Sequence, residues 1–123
     1  CGVAAAVCRQ SPVPIAGIIL ITPWDTLALV AQSLFPFLPV KILLADKYDN
    51  IANLQTFRGR ISVIGAEQDE ILPVAHARNL YEKLPHGQKR LWIIKGAGHN
   101  DWPFFASFSL FQEITDFVNI SRV

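Results

Sequence analysis

A three-layer αβα fold, with helices on both faces of about three parallel strands, is expected from three features of these 123 residues. The run Ile15-Ala16-Gly17-Ile18-Ile19-Leu20-Ile21 shows no polar/apolar alternation, as in a strand covered on both faces. From Gly59 onward, strand and helix patterns alternate at the spacing of βαβ units with right-handed crossovers. Hydrophobic residues make up 51% of the chain and charged ones 17%, so a chain of this length has one domain, residues 1–123, and a large core to bury.

Taken in order, Gly2 to Arg9 is Ala-rich and apolar and reads as a buried helix. No Ser, Thr, Asp or Asn precedes it as a cap, and the chain has no Met, so this helix reads as a continuation of a longer polypeptide. Ser11-Pro12-Val13-Pro14 breaks it, and the first strand follows until Thr22-Pro23. Asp25 or Thr26 is suited to cap a helix from Leu27 to Leu34, with Leu27, Val30, Ala31 and Leu34 on one stripe. Pro36-Phe37-Leu38-Pro39 interrupts the chain again before a short helix from Val40 to Ala45 and one helical turn over Asp49 to Leu54. The second strand is Ile61 to Gly65. Pro73 then opens a helix from Val74 to Leu84, in keeping with proline's place in the first turn. Pro85-His86-Gly87 stops that helix, and Arg90 to Ile94 forms the third strand. A last amphipathic helix is expected from Phe105 to Val118, with Phe108, Phe111, Ile114, Thr115 and Val118 toward the core.

Charge and composition exclude several roles. The net charge is +1 with acids and bases interspersed, which argues against a nucleic-acid surface. The longest apolar run is far shorter than the ~20 residues of a transmembrane helix. On one helix face Cys1 and Cys8 would lie about 10 Å apart, too far for a disulfide, so both read as reduced and favour a cytoplasmic setting. Asn119-Ile120-Ser121 is a glycosylation sequon by spelling alone. No Cys/His spacing suits zinc and no Gly-rich phosphate loop is present, so no metal or cofactor is expected.

The chemistry-bearing residues cluster after strands two and three. Ile61-Ser62-Val63-Ile64-Gly65 runs into Ala66-Glu67-Gln68-Asp69, a strand end, a tight turn and a carboxylate. Leu91-Trp92-Ile93-Ile94 runs into Lys95-Gly96-Ala97-Gly98-His99, which places an imidazole on a small-residue turn. An Asp followed by a His, each at the carboxyl end of its own strand, supplies two members of an acyl-transfer triad: the imidazole takes the nucleophile's proton and the carboxylate fixes its tautomer. Each residue alone reads more often as a turn former; together and in this order they point to catalysis. Trp24, Asp25 and Trp102 lie just past strand ends and are candidates for the substrate pocket, though a capping role for Asp25 and core packing for both tryptophans explain them as well. His76, within a helix, and His86, in a turn, read as solvated surface residues.

Two loops carry a family resemblance. Gly65-Ala66-Glu67-Gln68-Asp69-Glu70-Ile71-Leu72-Pro73 resembles the acid loop of α/β-hydrolases, and Gly96-Ala97-Gly98-His99 resembles their histidine loop. Ile21-Thr22-Pro23-Trp24-Asp25-Thr26-Leu27, Phe35-Pro36-Phe37-Leu38-Pro39-Val40 and Lys47-Tyr48-Asp49-Asn50-Ile51 are similar to the middle section of the serine aminopeptidase-like, dienelactone-hydrolase-like branch. The resemblance implies a partial α/β-hydrolase fold holding the last three strands of the parent sheet, with Asp69 as triad acid and His99 as general base. The family's elbow reads Gly-x-Ser-x-Gly, often followed by a small residue and Gly-Val-Ala. Cys1-Gly2-Val3-Ala4 matches that tail, which puts the nucleophilic Ser three positions before Cys1. Ser11 and Cys1 sit on no strand-to-helix elbow and do not replace it.

The resemblance thus implies hydrolysis of an ester, amide or thioester by a Ser-Asp-His triad, without a cofactor, on a small-molecule or peptide acyl substrate. This chain carries the acid and base but not the nucleophile. The other reading is an inactive fragment that acts as an interaction module. In that reading the strand Ile15 to Ile21 is an open apolar edge suited to homodimerisation.

Overall fold

Strands β1 (Gly17–Ile21), β2 (Arg60–Ala66) and β3 (Lys89–Ile94) form one parallel sheet in the order β1-β2-β3. The computed structural model describes residues 1–45, 48–84 and 87–119. The Pro85-His86 turn, Lys47 and the Ile120-Ser121 half of the sequon lie outside the described residues. Registers pair Leu20 with Val63 and Val63 with Leu91, so the three carboxyl ends emerge side by side.

One face of the sheet presents Ile18, Leu20, Ile61 and Val63 to α1 (Gly2–Gln10), α4 (Asn50–Leu54) and α5 (Val74–Lys83), with Ala5, Leu54 and Leu80 fully buried between the layers. The opposite face presents Ile64, Ala66 and Ile94 to α7 (Phe108–Asn119), which contributes Ile114, and to α6 (Trp102–Phe105), from which Trp102 is partly buried. The three layers are those expected. Helix α2 (Leu27–Leu34) has the expected bounds because the Thr26 Oγ1 accepts the Leu29 N–H at 3.1 Å, a side-chain cap. α3 is short (Val40–Leu43).

Several details differ from the sequence expectation. β1 begins at Gly17 rather than Ile15, where the Ala16 carbonyl already accepts the Arg60 N–H. Its second face is only partly covered, and Ile19 remains 38% exposed. The expected final helix is two: Ala106 leaves helical geometry, and Ser107 restarts it by accepting the Leu110 N–H on its hydroxyl. Of the five residues expected on the core stripe, only Ile114 is buried, while Phe108 stands 83% exposed. His76 is also not a surface residue: it is buried, because a buried carboxylate supplies its partner. Cys1 and Cys8 are both free thiols, as expected. No helix among the described residues is long and apolar enough to cross a membrane.

Candidate active site

The parallel registers bring the turns after β2 and β3 to one end of the sheet. There the Glu67 N–H donates to the Ile94 carbonyl and the Gln68 N–H to the Ala97 carbonyl, which ties the two turns together. Gly96 takes φ +71°, a left-handed conformation that suits glycine, and its N–H donates to the Glu67 carboxylate at 2.9 Å. The Gly98 N–H donates to the Asp101 carboxylate at 2.6 Å. His99 is thus carried on a turn pinned from both sides.

Asp69 and His99 meet directly. The Asp69 Oδ2 lies 2.8 Å from the His99 Nδ1, while Asp69 Oδ1 accepts the Ile71 N–H at 2.9 Å and the Leu72 N–H at 2.7 Å. The Asp69 side chain is fully buried and the His99 side chain is 27% exposed. A carboxylate engaged by two backbone donors acts as acceptor toward the ring, which assigns the ring proton to Nδ1. Nε2 is then the acceptor nitrogen, with no hydrogen-bond partner among the described residues. A neutral imidazole held this way is able to take a proton at Nε2, and the buried carboxylate stabilises the cation that results. His99 lines an open cavity of about 320 Å³ together with Gln68, Glu70, Ile71, Gly98 and Asp101. No Ser, Thr or Cys among the described residues is hydrogen-bonded to His99.

Other groups gather at the same end of the sheet. The Cys1 thiol donates to the carbonyl of Ile21, the last residue of β1, so α1 starts beside the carboxyl edge. Thr22, next along, has φ 46°, a strained conformation for a β-branched residue, and its N–H donates to the Ile64 carbonyl at 2.7 Å. In open α/β sheets this end is where ligands bind.

The three pocket candidates occupy other surroundings. Trp24 packs on Gly2, where a Cβ would stand 2.8 Å from its ring, and its Nε1 donates to the Tyr48 carbonyl at 3.1 Å. Trp102 packs against Phe111 with ring centroids 5.9 Å apart. Asp25 is 2% exposed and faces His76 Nδ1 at 3.0 Å and Asn79 Nδ2 at 2.6 Å. None of the three lines the cavity beside His99. Sequence reasoning missed the Asp25, His76 and Asn79 cluster; the i, i+3 spacing of His76 and Asn79 on one helix face was the available signal. Among the described residues no group of three or more His, Cys, Asp or Glu is arranged to hold a metal ion.

No family model matches the chain. It is 32% identical over 100 residues to an uncharacterized protein of Mycobacterium tuberculosis, covering 81% of this chain and 35% of that protein. It is 30% identical over 63 residues to the human alpha/beta hydrolase domain-containing protein 17C, covering 51% of this chain and 19% of that one. The chain therefore spans about a third or less of the length of these curated relatives. Among solved structures, the esterase domain of a Rhodothermus marinus protein superposes with a TM-score of 0.67 at 14% identity, covering 94% of this chain and 55% of that one. By its sequence relatives and by its three-layer parallel fold, the chain is related to the α/β-hydrolase superfamily.

Proposed function

We propose that this chain supplies the acid and the base of a serine hydrolase of the serine aminopeptidase-like, dienelactone-hydrolase-like branch. Its reaction is acyl transfer to water from an ester, amide or thioester. The observation that carries this reading is the 2.8 Å contact of Asp69 with His99 at the carboxyl end of the sheet. In the reaction His99 Nε2 takes the proton of a serine hydroxyl as the oxygen attacks the acyl carbon. It then returns that proton to the leaving group, and water repeats the sequence on the acyl-enzyme. Asp69 keeps Nδ1 protonated throughout. The serine lies on a Gly-x-Ser-x-Gly elbow ahead of Cys1. The start of α1 beside the end of β1 supports that placement.

A fluorophosphonate probe tests this. The 123-residue chain alone is expected to stay unlabelled, and the chain extended by its own upstream coding sequence to be labelled. Labelling of the extended protein that survives both His99→Ala and Asp69→Asn would refute the assignment.

A second reading rests on β1, which pairs with β2 on one side and with no strand among the described residues on the other. As a separate chain, this edge joins two copies, and the protein acts as an interaction module.

A further inference from the structure

We propose that Asp25, His76 and Asn79 form a positioning lock that sets the acid loop, so that Asp69 reaches His99 in hydrogen-bonding geometry; this rests on the acid–base reading of that pair. The Asp25 carboxylate is 2% exposed and receives only donors. Oδ1 accepts the Thr26 N–H at 2.7 Å and faces His76 Nδ1 at 3.0 Å, and Oδ2 accepts the Asn79 side-chain N–H at 2.6 Å. With the Thr26 N–H and the Asn79 amide both donating to it, the carboxylate acts as an acceptor, which assigns the facing ring proton of His76 to Nδ1. A buried charge held this way is a poor means of adding stability, since a well-packed apolar pair often does as well. What it adds is direction.

That direction falls on the acid loop. His76 and Asn79 lie on α5, and α5 is the downstream anchor of the loop from Asp69 to Pro73. The upstream anchor is β2, which ends at Ala66. Toward the sheet, α5 packs closely on Gly65, where an added Cβ would lie 2.9 Å from Val74 Cγ2 and 3.4 Å from Ala77 Cβ. Apolar packing of Val74, Ala77 and Leu80 seats α5 on the sheet. The bonds to Asp25 add a polar fixed point that ties the same helix to the turn after β1. Asp25 is itself held from the far side, where Asn50 Nδ2 donates to the Trp24 carbonyl at 2.8 Å and the Asn50 N–H to the Asp25 carbonyl at 3.0 Å. Asn50 is fully buried. The turn after β1, helix α4 and helix α5 thereby meet at Asp25, α4 through its backbone carbonyl and α5 through its carboxylate, and the loop carrying Asp69 leads into that junction.

The test uses the isotopically labelled chain and reads the His99 Nδ1–H by proton and nitrogen NMR. Asp25→Asn and His76→Ala are expected to accelerate solvent exchange of that proton by roughly tenfold, about what one weakened hydrogen bond is worth. His76→Asn, which keeps a donor near the Nδ1 position, is expected to restore slow exchange. If Asp25→Asn does not fold, Asn79→Ala removes one donor and leaves the other two in place, and it carries the same expectation. Variants that melt at lower temperature with unchanged His99 exchange would overturn the lock and leave a purely structural cluster. Asp69→Asn separates the two levels: an unchanged His99 signal there refutes the acid–base pair, whereas a lost signal there with unchanged exchange in the Asp25 and His76 variants refutes only the lock.

Discussion

Asp69 and His99 stand thirty residues apart in the chain and 2.8 Å apart in the fold, with the carboxylate wholly buried and the imidazole partly open to solvent. The asymmetry of exposure matters. A buried acceptor holds the ring through a bond that water does not compete for, while the open side of the ring leaves Nε2 able to exchange a proton. Neither the turn after β2 nor the turn after β3 creates this contact alone. It depends on the parallel register that pairs Gly65 with Ile93 and Ala66 with Ile94, so that both turns leave the sheet at one level.

Asp69→Asn is expected to leave the fold intact and invert the His99 tautomer. The amide oxygen still accepts from Ile71 and Leu72, and the amide nitrogen then faces Nδ1 as a donor. Nitrogen NMR of the His99 ring should move the proton from Nδ1 to Nε2. In the extended, labelled protein the same change is expected to slow acylation by about 10⁴-fold. A ring that keeps its proton on Nδ1 contradicts the expectation.

Local signals were legible in the sequence wherever the cause was local. Thr26 caps α2 with its own hydroxyl, and the run before Asp69 is buried along almost all of β2. The Asp69 and His99 turns were legible for the same reason. What escaped was set by distant partners. His76, inside a helix, reads as a surface residue, and its buried partner is a carboxylate 51 residues away. Phe108 reads as core from helical spacing, yet it stands at the exposed start of α7, and Ile114 is the buried residue of that helix. The break has a local cue in Ser107, whose hydroxyl caps the start of α7.

Gly96→Ala is expected to destabilise the chain by about 1–2 kcal/mol, the cost of placing a side chain in the left-handed region. Space is not the obstacle, since the nearest atom to the new Cβ is Phe105 Cε1 at 3.5 Å. The backbone angle of +71° is. Thermal melting should fall by roughly 4–8 °C per kcal/mol in a domain near this size. An unchanged melting temperature would show that the turn relaxes without loss.

The two thiols are expected to differ in reactivity. Burial pushes the Cys8 thiol above its ordinary value, whereas Cys1 is exposed. A raised value means less thiolate at any given pH, so alkylation by iodoacetamide should modify Cys1 first. The Cys8 rate should begin its rise at higher pH than that of an ordinary thiol. Mass spectrometry of the time course gives the order directly, and faster labelling of Cys8 in the native chain contradicts it.

Leu80 and Phe37 give opposite expectations for the same kind of truncation. Leu80 is fully buried against the sheet, so Leu80→Ala should cost about 2–5 kcal/mol in urea unfolding. Phe37 is 97% exposed between α2 and α3, and Phe37→Ala should stay within about 0.5 kcal/mol. Similar costs at both sites would mean that Phe37 is covered in solution.

The outer side of β1 gives the last expectation. Its backbone groups on that side have no strand partner among the described residues, and Ile19 is 38% exposed on the less covered face. Such an edge templates pairing with a second copy. Light scattering coupled to size exclusion should show the chain shifting from monomer to larger species as its concentration rises. Ile19→Lys should suppress that shift, because a charge on an edge strand disfavours its pairing with another strand while leaving the β1–β2 bonds in place. A wild-type chain that stays monomeric at every concentration removes the support for the interaction-module reading and leaves the acid–base reading untouched.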